Sequence, residues 1–157
     1  MQLIYFGFLA MAVWASASLA QSGPLKIEIT DGVIEPLTFA IPIFEAENLE
    51  AAAVATEISR IVATDLTSSG LFREIPSNRF ISRRKTFAET VRYPDWRAIN
   101  TQALVTAAVK TTILGRVKVK FRIFDIFSGV QLGSELQLDG STKAVRRMAH
   151  MVADQVY

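Results

Sequence analysis

The 157-residue sequence contains no cysteine and a single histidine, His150. Without thiols there is no disulfide framework, no thiol nucleophile and no cysteine-ligated metal. One imidazole has no second imidazole or thiolate with which to share a metal, so neither a metal nor another cofactor is expected. Glycines number eight and are scattered. Neither a GxGxxG turn behind a strand nor a GxxxxGK[ST] loop occurs, so a phosphate cradle of backbone amides has no basis here.

Acyl-transfer chemistry finds equally little. Ser68-Ser69-Gly70 closes a helical pattern instead of presenting a nucleophile, and the nearest orienting carboxylate for His150 along the chain is Asp154, one turn on. Glu45, Glu47 and Glu50 cluster at a helix start, where the helix dipole favours acids without any glycosidase role. The sequence reads as a non-enzyme, with an uncharacterised hydrolase as an alternative.

Charge is absent from Met1 to Ala20. An apolar run from Leu3 to Trp14 is followed by Ser18-Leu19-Ala20, the small-x-small pattern of a cleaved export signal, and cleavage is expected after Ala20. No Lys or Arg precedes the run, so only the amino group of Met1 supplies positive charge there. A membrane anchor is the weaker reading, because about 20 apolar residues are needed to span a bilayer and this run is shorter. Residues 21–157 have the size of one domain.

The charges present are unevenly placed. Residues 21–70 hold eight acids and two bases, and residues 71–157 hold fifteen bases and seven acids. Such asymmetry either steers partners or is neutralised when the two halves fold together.

Leu25-Lys-Ile-Glu-Ile-Thr30 alternates apolar and polar residues, the period of a half-buried strand, until Asp31-Gly32 breaks it. Phe39 to Phe44 is a second apolar run, in which Pro42 points to an edge position or a bulge. From Leu49 to Ser68, Val54, Ile58, Ile61, Val62 and Leu66 recur at helical spacing, with Asn48 as N-cap and Gly70 at the C-terminal left-handed position. Leu71 to Ile75 reads as a short strand, and residues 77–92, rich in bases and without a period, as a mobile loop. Asp95 is expected to cap a short helix from Trp96 to Thr101, which leads into a buried strand from Ala103 to Val109.

Residues 116–123 alternate strictly: Arg116, Lys118, Lys120 and Arg122 face one way and Val117, Val119, Phe121 and Ile123 the other. A turn at Phe127-Ser128-Gly129 and a partner strand from Gln131 to Leu138 follow. Ser141 is expected to cap a last helix carrying Val145, Met148, Ala149, Val152 and Val156, whose pattern continues to Tyr157. The elements predict an α/β two-layer sandwich of a mixed β-sheet with two main helices. The basic strand could contact phosphates, which keeps an exported anion- or nucleic-acid-binding domain using residues 116–122 as an alternative function. Its one aromatic, Phe121, faces away from the bases, against base stacking.

Three segments in order resemble the N-terminal domain of the TolB family. Ile61 to Phe72 is similar to that family's helix-turn-strand, Trp96 to Val105 to its short helix running into a central strand, and Arg147 to Tyr157 to the helix leading into its propeller. The resemblance implies a TolB N-terminal-domain-like fold, similar in arrangement to anticodon-binding domains. It also implies an export segment at 1–20, an N-terminal arm or first strand at 21–34, and an α/β domain at 35–157 without the C-terminal propeller. It further implies a periplasmic component of the Tol-Pal envelope system, acting in envelope integrity and in constriction of the outer membrane at division. The arm, Leu25, Lys26, Ile27, Glu28, Ile29, Thr30, Asp31, Gly32 and Val33, would engage TolA. Pal would be engaged by the absent propeller, and colicins could exploit the same module. The alternative for the arm is that it forms the first strand of the domain.

Overall fold

The structure, a computed structural model, describes residues 29–30, 33–82 and 86–157. The expected export segment at 1–20, most of the arm (Leu25 to Glu28, Asp31 and Gly32) and Arg83 to Lys85 of the basic loop lie outside the described residues.

Two short strands come first, β1 (Ile29–Thr30) and β2 (Val33–Ile34). They pair antiparallel with each other, Ile29 opposite Ile34 and Thr30 opposite Val33, as a two-stranded sheet of their own. In the sequence they are separated by Asp31-Gly32, where the alternation breaks.

A second, six-stranded sheet is built from β3 (Leu37–Ala40), β4 (Glu45–Ala46), β5 (Phe72–Glu74), β6 (Ala103–Thr111), β7 (Arg116–Asp125) and β8 (Val130–Ser141). Its order is β5-β3-β6-β7-β8, with β4 also beside β6. β3 runs parallel to both β5 and β6, while β6, β7 and β8 are antiparallel neighbours, so the sheet is mixed as the sequence predicts.

The second apolar run begins and ends two or more residues earlier than its hydrophobicity suggests, because the strand stops before Pro42. Phe39 and Ala40 pair with Ala103 and Leu104, whereas Glu45 and Ala46 pair with Ala108 and Val109. Four residues therefore intervene on one side against three on the other. This is a one-residue bulge spanning Ile41 to Phe44, the device that proline inside a strand calls for.

Helix α1 (Ala52–Ser68) follows a 3-10 turn at Leu49–Ala51 and buries Ala55, Ile58, Ile61, Val62 and Leu66 against the sheet. It closes through Ser69 into Gly70 at φ +73°, the left-handed conformation that glycine adopts without strain. Helix α3 (Val145–Asp154) packs beside α1 on the same sheet face and buries Val145, Met148, Ala149 and Val152. It ends at Asp154, short of the continuation to Tyr157 that the pattern suggests.

Neither Asn48 nor Ser141 makes a side-chain cap. Asn48 prolongs the sheet instead: its Nδ2 donates to the Thr111 carbonyl at 2.7 Å and its Oδ1 accepts from the Thr111 N–H at 3.0 Å, as a strand residue would. Two bonds to a half-buried backbone group make Asn48→Ala expected to lower unfolding free energy by about 1–3 kcal/mol, measurable by urea denaturation. A change below about 0.5 kcal/mol, the range of ordinary surface substitutions, would show that water replaces the amide.

The opposite sheet face is only partly covered. Helix α2 (Tyr93–Arg97) begins three residues before the expected start, with Pro94 in its first turn and Asp95 inside the helix, ion-paired to Arg92 at 3.4 Å. Where a mobile loop is expected over 77–92, the described residues on either side of Arg83 to Lys85 pack in place: Phe87 and Val91 are buried, and the Phe80 ring meets Trp96 edge-on at 5.0 Å. Phe80, Val91 and Trp96, with Ile75, Ile99, Leu104 and Ile126, form a second core behind the sheet.

Candidate functional site

The first candidate surface is the arm. Ile29–Thr30 pairs with Val33–Ile34 and not with the six-stranded sheet, so the described end of the arm is not the first strand of that sheet.

The second is the basic face of β7. The alternation is as read from the sequence: Val117, Val119, Phe121 and Ile123 are buried beneath the helices, and Arg116 and Lys118 are exposed on the other face. Most of this basic charge is met. Arg116 binds Asp139 on β8, Lys120 lies 3.5 Å from Glu47, and Arg122 donates to Glu135 from Nε and one terminal nitrogen at 3.0 and 2.7 Å. The Arg122 guanidinium also lies 4.3 Å from the centre of the Phe87 ring. Glu45 accepts a hydrogen bond from the Phe87 N–H, so the loop is held to β4 and β7 together. Two of the Glu45, Glu47 and Glu50 acids thus serve as anchors for this face. Of these pairs only Lys120–Glu47 joins the acidic half of the chain to the basic one, while Arg116 and Arg122 find acids within the basic half itself; a strand with most of its cations paired is a poor electrostatic platform for nucleic acid.

Behind Lys120 the face dips into a basin of about 170 Å³ lined by Glu47, Ala108, Lys110, Lys118, Lys120 and Gln137. On the helix side, Leu37, Phe72, Ile123, Leu132, Val156 and Tyr157 line a larger apolar groove of about 420 Å³ beyond the end of α3. No Asp, Glu, Lys, Arg or His side chain lines it.

His150 Nδ1 lies 2.6 Å from Asp65 Oδ2 and so joins α3 to α1. Its partner is not Asp154, the carboxylate nearest along the chain. The pair is half exposed on the helical surface and belongs to neither groove. Among the described residues no group of three His, Asp or Glu side chains is arranged to hold a metal. On the outer strand β5, partial desolvation raises the Glu74 carboxyl above the ordinary glutamate range. No described helix is long and apolar enough to cross a membrane.

Residues 25–132 match the family described as the TolB amino-terminal domain. Among curated proteins, the chain is 52% identical over 149 residues to "Tol-Pal system protein TolB" of Roseobacter denitrificans, covering 94% of this chain and 33% of that protein. It is 55% identical over 135 residues to the protein of the same name from Dinoroseobacter shibae, covering 86% of this chain and 30% of that one. The chain therefore spans about a third of the length of these relatives. Among solved structures, TolB from Acinetobacter baumannii superposes with a TM-score of 0.63 at 24% identity, over 78% of this chain and 28% of that one, a likeness of fold.

Proposed function

Because the chain belongs to the TolB amino-terminal domain family, we propose that it is an exported, periplasmic protein-interaction component of the Tol-Pal envelope system and performs no catalysis. The observation that carries this reading is the family match from residue 25 to 132, joined to relatives of 52% identity that bear the Tol-Pal name. In it, Met1 to Ala20 directs export and is removed. The system links the inner-membrane protein TolA to the outer-membrane lipoprotein Pal, for envelope integrity and for constriction at division.

The arm from Leu25 to Val33 is the TolA-binding element. An extended amphipathic segment with Ile27 and Ile29 on one face suits addition to the edge of a partner's sheet, where main-chain hydrogen bonds supply affinity and alternate side chains fill pockets. The pairing of β1 with β2, outside the six-stranded sheet, supports this, since leaving its place disrupts no strand of the main sheet. Pal is engaged by the propeller of the whole protein, and colicins that borrow the system meet the same module.

Titration of the full chain with the periplasmic domain of TolA, and separately with Pal, tests the proposal by calorimetry. Saturable heat with TolA and none with Pal is expected. An absence of TolA binding overturns the assignment of the arm, and tight Pal binding overturns the assignment of Pal to the propeller.

A further inference from the structure

The hairpin joining β6 to β7 ends in Thr112-Ile113-Leu114-Gly115, framed by hydrogen bonds from Thr112 N–H to the Arg116 carbonyl at 2.8 Å and from Gly115 N–H to the Thr112 carbonyl at 2.9 Å. Turns of this kind favour Gly, Asn, Asp, Ser or Pro at their centre. Here the centre is two adjacent aliphatic side chains, Ile113 at 104% and Leu114 at 84% relative exposure. Leu49, at 87%, stands at the same end of the sheet, next to the Asn48 that is bonded to Thr111.

Immediately behind this tip lies a collar of cations. Lys110 and Lys118 are directly opposite each other on β6 and β7, an arrangement of like charges that destabilises a strand pair. Neither lies in any of the ion pairs formed by their neighbours Arg116 and Lys120. Lys143 follows Thr142, whose N–H donates to the Gly115 carbonyl at 2.9 Å. The acids at this end, Glu47 and Asp139, are taken up by Lys120 and Arg116, and Glu50 accepts from Asn48.

We propose that the β6–β7 hairpin is a membrane-contact finger, whose Ile113-Leu114 tip enters an anionic lipid surface while Lys110 and Lys118 bind the headgroup phosphates. The dimensions agree. Apolar groups of interfacial proteins reach about 5–10 Å into the headgroup and acyl boundary. Lys110 lies three residues behind Ile113, about 10 Å at the rise of an extended strand, which brings its ammonium to the phosphate level. The basin of about 170 Å³ beside Lys110 and Lys118, whose far side is closed by the Lys120–Glu47 pair, has room for a phosphate group.

Area argues for a lipid occupant over a protein one. A stable protein interface buries about 1,600 Å² in total, and a convex tip of two side chains provides only a small part of that. A bilayer needs no complementary concavity, because it deforms around the tip.

The chain has no cysteine, so Ile113→Cys gives a unique site for a polarity-sensitive fluorophore in the full chain. Ser128→Cys, in the turn at the opposite end of β7, is the control. With vesicles of phosphatidylcholine and phosphatidylglycerol, the label at 113 is expected to shift to the blue while that at 128 does not. Lys110→Gln with Lys118→Gln should move the lipid titration to roughly tenfold higher concentration, and phosphatidylcholine alone should bind weakly. No spectral change at 113, an equal change at both labels, as attachment through Leu3 to Trp14 would give, or a titration unmoved by the lysine changes would each overturn the proposal.

Discussion

Phe39→Ala is expected to lower the free energy of unfolding by about 3–5 kcal/mol, against a total of about 5–15 kcal/mol for a domain of ordinary stability. Phe39 is fully buried on β3, which is paired on both sides, and its ring meets Phe72 of β5 edge-on at 6.1 Å. Truncation removes most of a large apolar side chain and leaves a cavity where two parallel strands and the helical layer meet, a place that cannot collapse without moving the sheet. Urea unfolding followed by circular dichroism measures the loss. Leu49→Ala serves as the comparison: the side chain it truncates is 87% exposed, and the change should stay within about 0.5 kcal/mol. Equal effects for the two would mean that the core does not centre on β3.

The second large effect concerns binding. Ile27→Ser together with Ile29→Ser is expected to weaken the association with TolA by about a hundredfold or more. Removing two apolar side chains from partner pockets forfeits about 1.5–3 kcal/mol each, and every 1.4 kcal/mol is tenfold in affinity. The urea midpoint should hardly move, because Ile29 pairs only within the two-stranded sheet. Lys26→Ser with Glu28→Ser, on the other face of the extended segment, should leave affinity within a fewfold of the original. If the isoleucine changes reduce stability as much as binding, the segment is a structural strand and the partner-binding assignment fails.

What was legible in the sequence followed local periodicity. The alternation of Arg116 to Ile123 and the helical spacing of Val54 to Leu66 both mark the sides they bury, because the solvent and core faces differ strongly in polarity at those elements. Gly70 marks the end of its helix because backbone conformation is itself local. Pro42 announced an irregularity, and the bulge is that irregularity.

Contacts between distant residues were not legible. His150 finds Asp65 and Lys120 finds Glu47, separations of 85 and 73 residues that no spacing rule reaches. Residues 77–92 read as loose because Phe80, Phe87 and Val91 are irregularly spaced. Phe80 and Val91 are placed by the underside of the sheet and Trp96, and Phe87 by Glu45 and Arg122, not by a period of their own. Asn48 was placed correctly at a helix entry but misread in mechanism, since a free strand position beside Thr111 offers its amide two bonds in place of one. For the arm, the break at Asp31-Gly32 was readable, but its partner strand Val33–Ile34 was not, for two residues carry no period.

The bulge between Ile41 and Phe44 also sets the phase of everything after it. Before it, odd-numbered Phe39 shares the helix side with Ala103; after it, odd-numbered Glu45 shares the open side with Ala108. The extra residue inverts parity and so delivers Glu45 to the Phe87 N–H and Glu47 to Lys120. Were one residue lost there, the same carboxylates would be turned toward the apolar layer under α1, where an unpaired charge costs several kcal/mol. The segment can therefore vary in composition far more freely than in length, and an insertion or deletion at Ile41 to Phe44 would act on side chains it never touches.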